Sequence, residues 1–215
     1  MKYSRWSLPA ILVFFTLVAG LSPLAADPPD ALAAYRNGNY QDAVSICQNE
    51  LKANPQNMDS FVVLTWALLK LEKYQDALDY TNQALKVNPY DFRVIEAQAE
   101  AQYYLGKNID ALHNFEQYVV LAPSGDRIER AYYFMGEIYL QLGEYNHADI
   151  ALTTAVYHAP QIAAWWARLG YARYLEKDYP SALKAYNEAL NQDPNNSDAQ
   201  RGKQQVQQAM ASSGT

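Results

Sequence analysis

Five prolines mark a regular interval along most of this chain. They stand at Pro55, Pro89, Pro123, Pro160 and Pro194, with spacings of 34, 34, 37 and 34 residues. Twelve residues before each lies an alanine: Ala43, Ala77, Ala111, Ala148 and Ala182. Fifteen residues before lies a tyrosine, at Tyr40, Tyr74, Tyr145 and Tyr179, with Asn108 in the remaining place. Gly38, Gly106 and Gly143 fall seventeen residues before their prolines, and Ala84, Ala155 and Ala189 five before theirs. A chain that repeats itself at such a period reuses one supersecondary unit. Each unit is too small to bury its apolar stripe alone, so neighbours must stack into a continuous core.

The spacing predicts a pair of antiparallel helices per period. Gly38, Gly106 and Gly143 are placed to end a first helix, where a left-handed residue costs little. The proline cannot continue the second helix and separates one pair from the next. The invariant alanine marks the closest approach of the two helices. The expected pairs are 29–37 with 40–53, 57–71 with 74–87, 91–105 with 108–121, 126–142 with 145–158, and 162–176 with 179–192. A last helix over about 198–210, with Ser197 as N-cap, turns Ala199, Val206, Ala209 and Met210 inward and polar residues outward. That is the form of a solubilising terminal cap. A frayed tail follows from Ala211, with 212–215 disordered. The single spacing of 37 implies three extra residues near Ser124-Gly125-Asp126, enough for about one more turn in the fourth pair's first helix.

The pattern resembles the tetratricopeptide repeat family. Residues 163–196 carry nearly the whole motif in Trp166, Leu169, Gly170, Tyr179, Ala182, Tyr186, Ala189 and Pro194. Residues 129–162 match through Tyr132, Gly136, Tyr139, Gly143, Tyr145, Ala148, Ala155 and Pro160. Residues 58–91 match through Phe61, Leu64, Leu68, Tyr74, Ala77, Ala84 and Pro89. The repeat over 28–57 is truncated, with Asp27 and Asp30 at places usually apolar, and the repeat over 92–125 departs at Gln98 and Gln102. The resemblance implies an all-α, right-handed superhelical solenoid of about five helix-turn-helix units over 27–196, closed by a capping helix over 197–211. It also implies a concave surface lined mostly by first helices.

The chain opens differently. Lys2 and Arg5 precede an apolar run from Leu8 to Leu21, and Ser22-Pro23-Leu24-Ala25-Ala26 leads to Asp27. This is the layout of a secretory signal over residues 1–26; an uncleaved membrane anchor is the alternative. Either reading places the repeats outside the cytoplasm, most simply in a bacterial periplasm, with the membrane met only in transit if the signal is removed. The whole chain has 17 basic and 23 acidic residues, a net charge of −6. Losing Lys2 and Arg5 makes that −8, which argues against nucleic acid, whose phosphates demand a basic excess. One cysteine, Cys47, excludes an internal disulfide and a cysteine-type zinc site. Ile46 and Ala43 suggest that it packs on a buried face; an intermolecular disulfide is the alternative.

No catalytic constellation is present. His113, His147 and His158 offer no i,i+4 metal pair, and no nucleophile elbow, phosphate loop or dinucleotide fingerprint occurs. The expected protein is therefore not an enzyme and needs no cofactor or metal. Its candidate site is the concave groove: Asp59, Val62, Val63, Trp66 and Lys70; then Arg93, Glu96, Glu100, Tyr103 and Tyr104; then Arg130, Tyr133, Phe134 and Glu137; then Arg168, Tyr171 and Tyr174. Rigid aromatic rings mark recognition surfaces, although rings at helical spacing also build cores. The arginines could meet a partner's carboxylates or be neutralised by Glu96, Glu100 and Glu137. Gln98 and Gln102, if buried, must bond each other and the backbone or mark a ligand contact. The Lys/Asn/Arg clamp of some family members is absent, its places holding Val62, Val63, Arg93 and Ala97. The expected partner is a protein or peptide. A small-molecule component of a solute-uptake system and a self-associating structural protein are the alternatives.

Overall fold

The residue before each recurring proline is held out of the helical conformation, and this ends a helix five times over. Asn54, Asn88, Ala122, Ala159 and Asp193 all have φ between −133° and −138°, because a following pyrrolidine ring crowds the helical conformation. These junctions organise the computed structural model of the chain, which describes residues 30–213. The leader inferred over residues 1–26 lies outside the described residues.

Five helix pairs follow in order: α1 (Ala31–Arg36) with α2 (Tyr40–Ala53), α3 (Met58–Lys70) with α4 (Tyr74–Val87), α5 (Phe92–Tyr104) with α6 (Asn108–Leu121), α7 (Ile128–Leu142) with α8 (Tyr145–His158), and α9 (Ala163–Leu175) with α10 (Tyr179–Gln192). A single helix, α11 (Ser197–Ser213), closes the stack. No strand occurs among the described residues. The second helices lie where the periodicity places them, and the first helices agree to within two residues. Each second helix packs on both the first helix of its own pair and that of the next. Successive first helices also touch from α1 through α7, and α9 touches α11. Second helices share no comparable contact with one another, so the stack curves with the first helices on its inner wall.

The five recurring alanines are fully buried at 0 % exposure, as a closest-approach position requires. Gly38, Gly106 and Gly143 take φ of 80°, 72° and 76°. The equivalent places in the second and fifth pairs hold Glu72 and Lys177, which adopt the same left-handed region at 57° and 66°. The turn geometry is thus set by the repeat and imposed on residues that disfavour it. In each turn the next N–H reaches five residues back, as Lys73 N to Leu68 O and Asp178 N to Arg173 O do at 2.9 and 3.0 Å.

Four details differ from the sequence reading. α1 has only six residues, capped by Asp30, whose Oδ1 accepts from Ala33 N at 3.0 Å. The extra residues of the 37-residue spacing divide between the link 122–127 and α7, which has 15 residues against 13 in α3, α5 and α9. The gain is about half a turn, not a whole one. The cap of α11 is Asn196, whose Oδ1 accepts from Ala199 N at 2.9 Å; Ser197 is already helical. That helix runs on through 211–213, where fraying was expected. It buries Ala199, Gly202 and Val206 and leaves Met210 exposed. Gly202 is needed there. A Cβ on it would stand 2.1 Å from Cζ of Tyr186, and one on Gly170 of α9 would stand 2.8 Å from the same ring. Tyr186 is gripped between two helices that can approach only without side chains.

Candidate binding groove

The inner wall combines charged side chains that neutralise one another with rings that stack from pair to pair. Along α3, α5, α7 and α9, arginines meet carboxylates of the preceding repeat. Arg93 bonds Asp59 at 2.9 Å and Asp91 at 2.8 Å. Arg130 and Arg127 share Glu100 at 2.7 and 2.6 Å. Arg168 grips Glu137 with two bonds, of 2.6 and 2.9 Å. Glu96, Glu100 and Glu137 are all buried. Buried carboxylates persist only when paired, so the Arg–Glu neutralisation between neighbouring helices is the arrangement this fold adopts.

The aromatic residues connect across repeats. Tyr74 stacks on Tyr104 with centroids 4.5 Å apart, Tyr103 meets Phe134 at 4.9 Å, and Tyr133 stacks on Trp165 at 4.8 Å. Tyr103 also contacts Tyr104, and Tyr133 contacts Phe134. The result is one ribbon from α4 to α9. Arg130 lies over the Phe134 ring at 5.8 Å and Arg168 over Tyr171 at 5.2 Å. Not every expected groove residue faces the opening. Val62, Val63 and Phe134 are buried in the packing between helices, because the inner helices pack tightly enough to close over one position off the main stripe. Trp66, Tyr103, Tyr133, Arg93, Arg130, Arg168 and Tyr174 are half-buried, and Tyr104 and Tyr171 are the open rings, at 46 % and 38 %.

The two anomalous glutamines resolve into a structural network. Gln98 donates to Asn82 Oδ1 at 2.8 Å, and Asn114 donates to Oε1 of Gln98 and of Gln102 at 2.9 and 2.7 Å. Four amides thereby tie α4, α5 and α6 together through side chains, where bonding to each other and the backbone was one expectation. Cys47 is fully buried. Burial, with Glu50 nearby, pushes its thiol up to about 12, which leaves no reactive thiolate for the intermolecular disulfide.

Arg127 was missed by the sequence reading. It lies in the link before α7 and roofs a cavity of about 160 Å³ formed by Trp66, Phe92, Arg93, Glu96, Tyr118 and Asp126. Its guanidinium sits 5.8 Å from the Trp66 ring centre. Its Nε comes within 3.0 Å of Glu96 Oε1, but off the hydrogen-bond direction, so the contact is Coulombic only. Neither Glu96 oxygen nor Trp66 Nε1 has a hydrogen-bond partner among the described residues. Burial pushes the Glu96 carboxyl up to about 7, Arg127 pulling it down and Glu100 adding to the rise. Burial likewise opposes the charge of Arg127, but Glu96 and Glu100 outweigh it and raise its pKa. The signal that could have found Arg127 was the inserted link itself, the one place where the repeat breaks phase.

Tetratricopeptide repeat models match residues 129–162 and 163–196, and the model of anaphase-promoting complex (cyclosome) subunit 3 matches residues 30–84. No curated protein matches the chain. Among solved structures, MamA from Desulfovibrio magneticus RS-1 is 20% identical with a TM-score of 0.67, over 78% of this chain and 93% of that one. YrrB, described as a TPR protein with an unusual peptide-binding site, is 16% identical with a TM-score of 0.67, over 81% and 88%. PilF from Pseudomonas aeruginosa is 15% identical with a TM-score of 0.72, over 84% and 81%. At such identities the likeness is one of fold: a solenoid of stacked helix pairs. The repeat-model matches show tetratricopeptide repeats over residues 129–196, and the likeness to solved structures extends the same stack of helix pairs along the described chain.

Proposed function

We propose that this protein is a non-enzymatic scaffold of the cell envelope that holds an extended or helical peptide of a partner protein along its inner wall. The observation that carries this reading is the ribbon of stacked rings spanning α4 to α9, bordered by the open rings of Tyr104 and Tyr171. Rings held in place by neighbours lose little entropy on binding and offer large area. Most charged groups between them are already paired, Glu96 being the exception that lacks hydrogen bonds. Among the described residues no group of three metal-ligating side chains forms and no helix is long and apolar enough to cross a membrane. Placement in the envelope rests on the signal-like residues 1–26.

The test is Tyr104→Ser with Tyr171→Ser, used as bait against a native envelope extract. The expected result is loss of a partner retained by the wild type while the variant stays folded, with only a small drop in melting temperature from the lost Tyr74–Tyr104 stacking. Retention of every partner would count against the groove. Recovery of the protein in the cytoplasmic fraction, with an unprocessed N-terminus, would remove the envelope placement alone.

A further inference from the structure

The cavity beneath Arg127 is short of positive charge. Two carboxylates line it, Glu96 and Asp126; Asp59, Asp91 and Glu100 hold its arginines, and Glu129 adds to the field at Glu96. Three cations face them: Arg93, Arg127 and Arg130. Arg93 is already divided between two acids, and Glu100 is shared between the other two arginines. Glu96 is therefore left with the misaligned contact to Arg127 and the weaker pull of Arg130. It is 1 % exposed and has no hydrogen bond to either oxygen. A buried carboxylate in that condition is costly until donors reach it. The walls are the rings of Trp66 from α3, Phe92 from α5 and Tyr118 from α6, and aromatic faces attract cations. Arg127 occupies this cage only in part. Its second nitrogen is committed to Glu100 at 2.6 Å, so the guanidinium keeps a carboxylate partner when its Nε gives up Glu96.

We propose that this cavity anchors one basic side chain, lysine or arginine, of a partner peptide, with Glu96 as counter-ion and Trp66, Phe92 and Tyr118 as walls. The inference rests on the reading of the inner wall as a peptide-binding surface and gives that surface a chemical preference. The entering cation displaces Arg127 from Glu96 toward Glu100 and supplies the hydrogen bonds that Glu96 lacks. The cavity also explains the place of Arg127: a resident cation stands in for the partner's and lessens the charge deficit of the empty site.

The experiment uses the full soluble chain labelled with 15N, following the indole N–H of Trp66, assigned by its loss in Trp66→Phe. The probes are acetyl-Gly-Lys-Gly-amide, its Gln counterpart and butylammonium chloride, at matched ionic strength. The lysine peptide is expected to give a saturable shift, roughly tenfold or more tighter than the glutamine peptide. Its affinity should rise with pH between about 6 and 8, because Glu96 must be ionised to receive it. Glu96→Gln should abolish that pH dependence and weaken binding by at least roughly tenfold. Equal responses to the lysine and glutamine peptides, or pH-independent binding in the wild type, would overturn the proposal even if the variant failed to fold. Binding of butylammonium without the peptide would assign the cavity to free amines and overturn the anchor role. If the anchor fails while partner capture still depends on Tyr104 and Tyr171, the broader reading of the groove stands.

Discussion

Glu96→Gln tests the electrostatics of the inner wall without any ligand. In the folded chain burial raises this carboxyl from its ordinary 4.5 to about 7, despite Arg127 and Arg130, with Glu100 and Glu129 adding to the rise. A carboxyl raised on folding favours the protonated native state. Its stabilising contribution is complete below about pH 4.5, falls as pH climbs toward 7, and is gone above that. At about 1.4 kcal/mol per pH unit, the wild type should lose on the order of 3 kcal/mol across that window. Glutamine keeps the shape and carries no proton to lose, and Arg127 keeps Glu100. Urea unfolding of both proteins at several pH values from about 4.5 to 8 isolates the effect, since every other titrating group is shared and cancels in the difference. The variant's stability relative to the wild type should grow steadily with pH by about that amount. A difference that stays flat, or shrinks as pH rises, would show that Glu96 is ionised at no cost, and the charge-deficit argument would fall with it.

Other parts of the structure make independent predictions. Glu72→Gly and Lys177→Gly should each stabilise the fold by about 0.5–1 kcal/mol by relieving left-handed strain, raising the melting temperature by roughly 1–4 °C; no rise at either site would contradict the turn geometry. Gly202→Ala gains about 1 kcal/mol of helix propensity but drives a Cβ into the Tyr186 ring, at about 1–3 kcal/mol. Hydrogen exchange should therefore quicken in α11 alone. Asn114→Leu strands the Gln98 and Gln102 carbonyls and should destabilise by about 1–3 kcal/mol, measured by urea unfolding; a neutral result would mean that water replaces the lost amide. Ala77→Leu should cost about 1–3 kcal/mol at the closest approach of α3 and α4, with a matching drop in melting temperature.

The helix pairs were legible because they depend on local, repeated chemistry. A proline dictates the conformation of the residue before it, and an alanine tolerates a helix crossing, wherever either occurs. That is why the second helices fall on their expected bounds. The ends of α1, α7 and α11 were less legible. Each depends on a single side chain acting as a cap, as Asp30 and Asn196 do, or on how an insertion divides between link and helix. The motif treats Asp30 as an anomaly, yet physically it is an ordinary N-cap. Gln98 and Gln102 look similarly out of place until Asn82 and Asn114, on the flanking helices, are seen to supply their partners.

The groove was harder to read because its residues are defined by the neighbouring repeat. One-step-off positions point to the inner wall but could not tell Phe134, which closes over as core, from Tyr104, which stays open. The pairing rule is itself a property of the stack. Glu96 with Arg127, Glu100 with Arg130 and Glu137 with Arg168 are separated by 31, 30 and 31 residues, slightly less than one period. A search at that offset would have exposed these three pairs, Arg127 included, because the inner helices bring an acid of one repeat beside a base of the next. It would also have shown that Arg127 comes from the out-of-phase link while its counterparts come from helices. Arg127 meets Glu96 off the hydrogen-bond direction, whereas Arg168 holds Glu137 with two bonds from within α9. The pairing is thus complete toward the C-terminal end of the ladder and incomplete at Glu96, so a partner's charge should enter at that point.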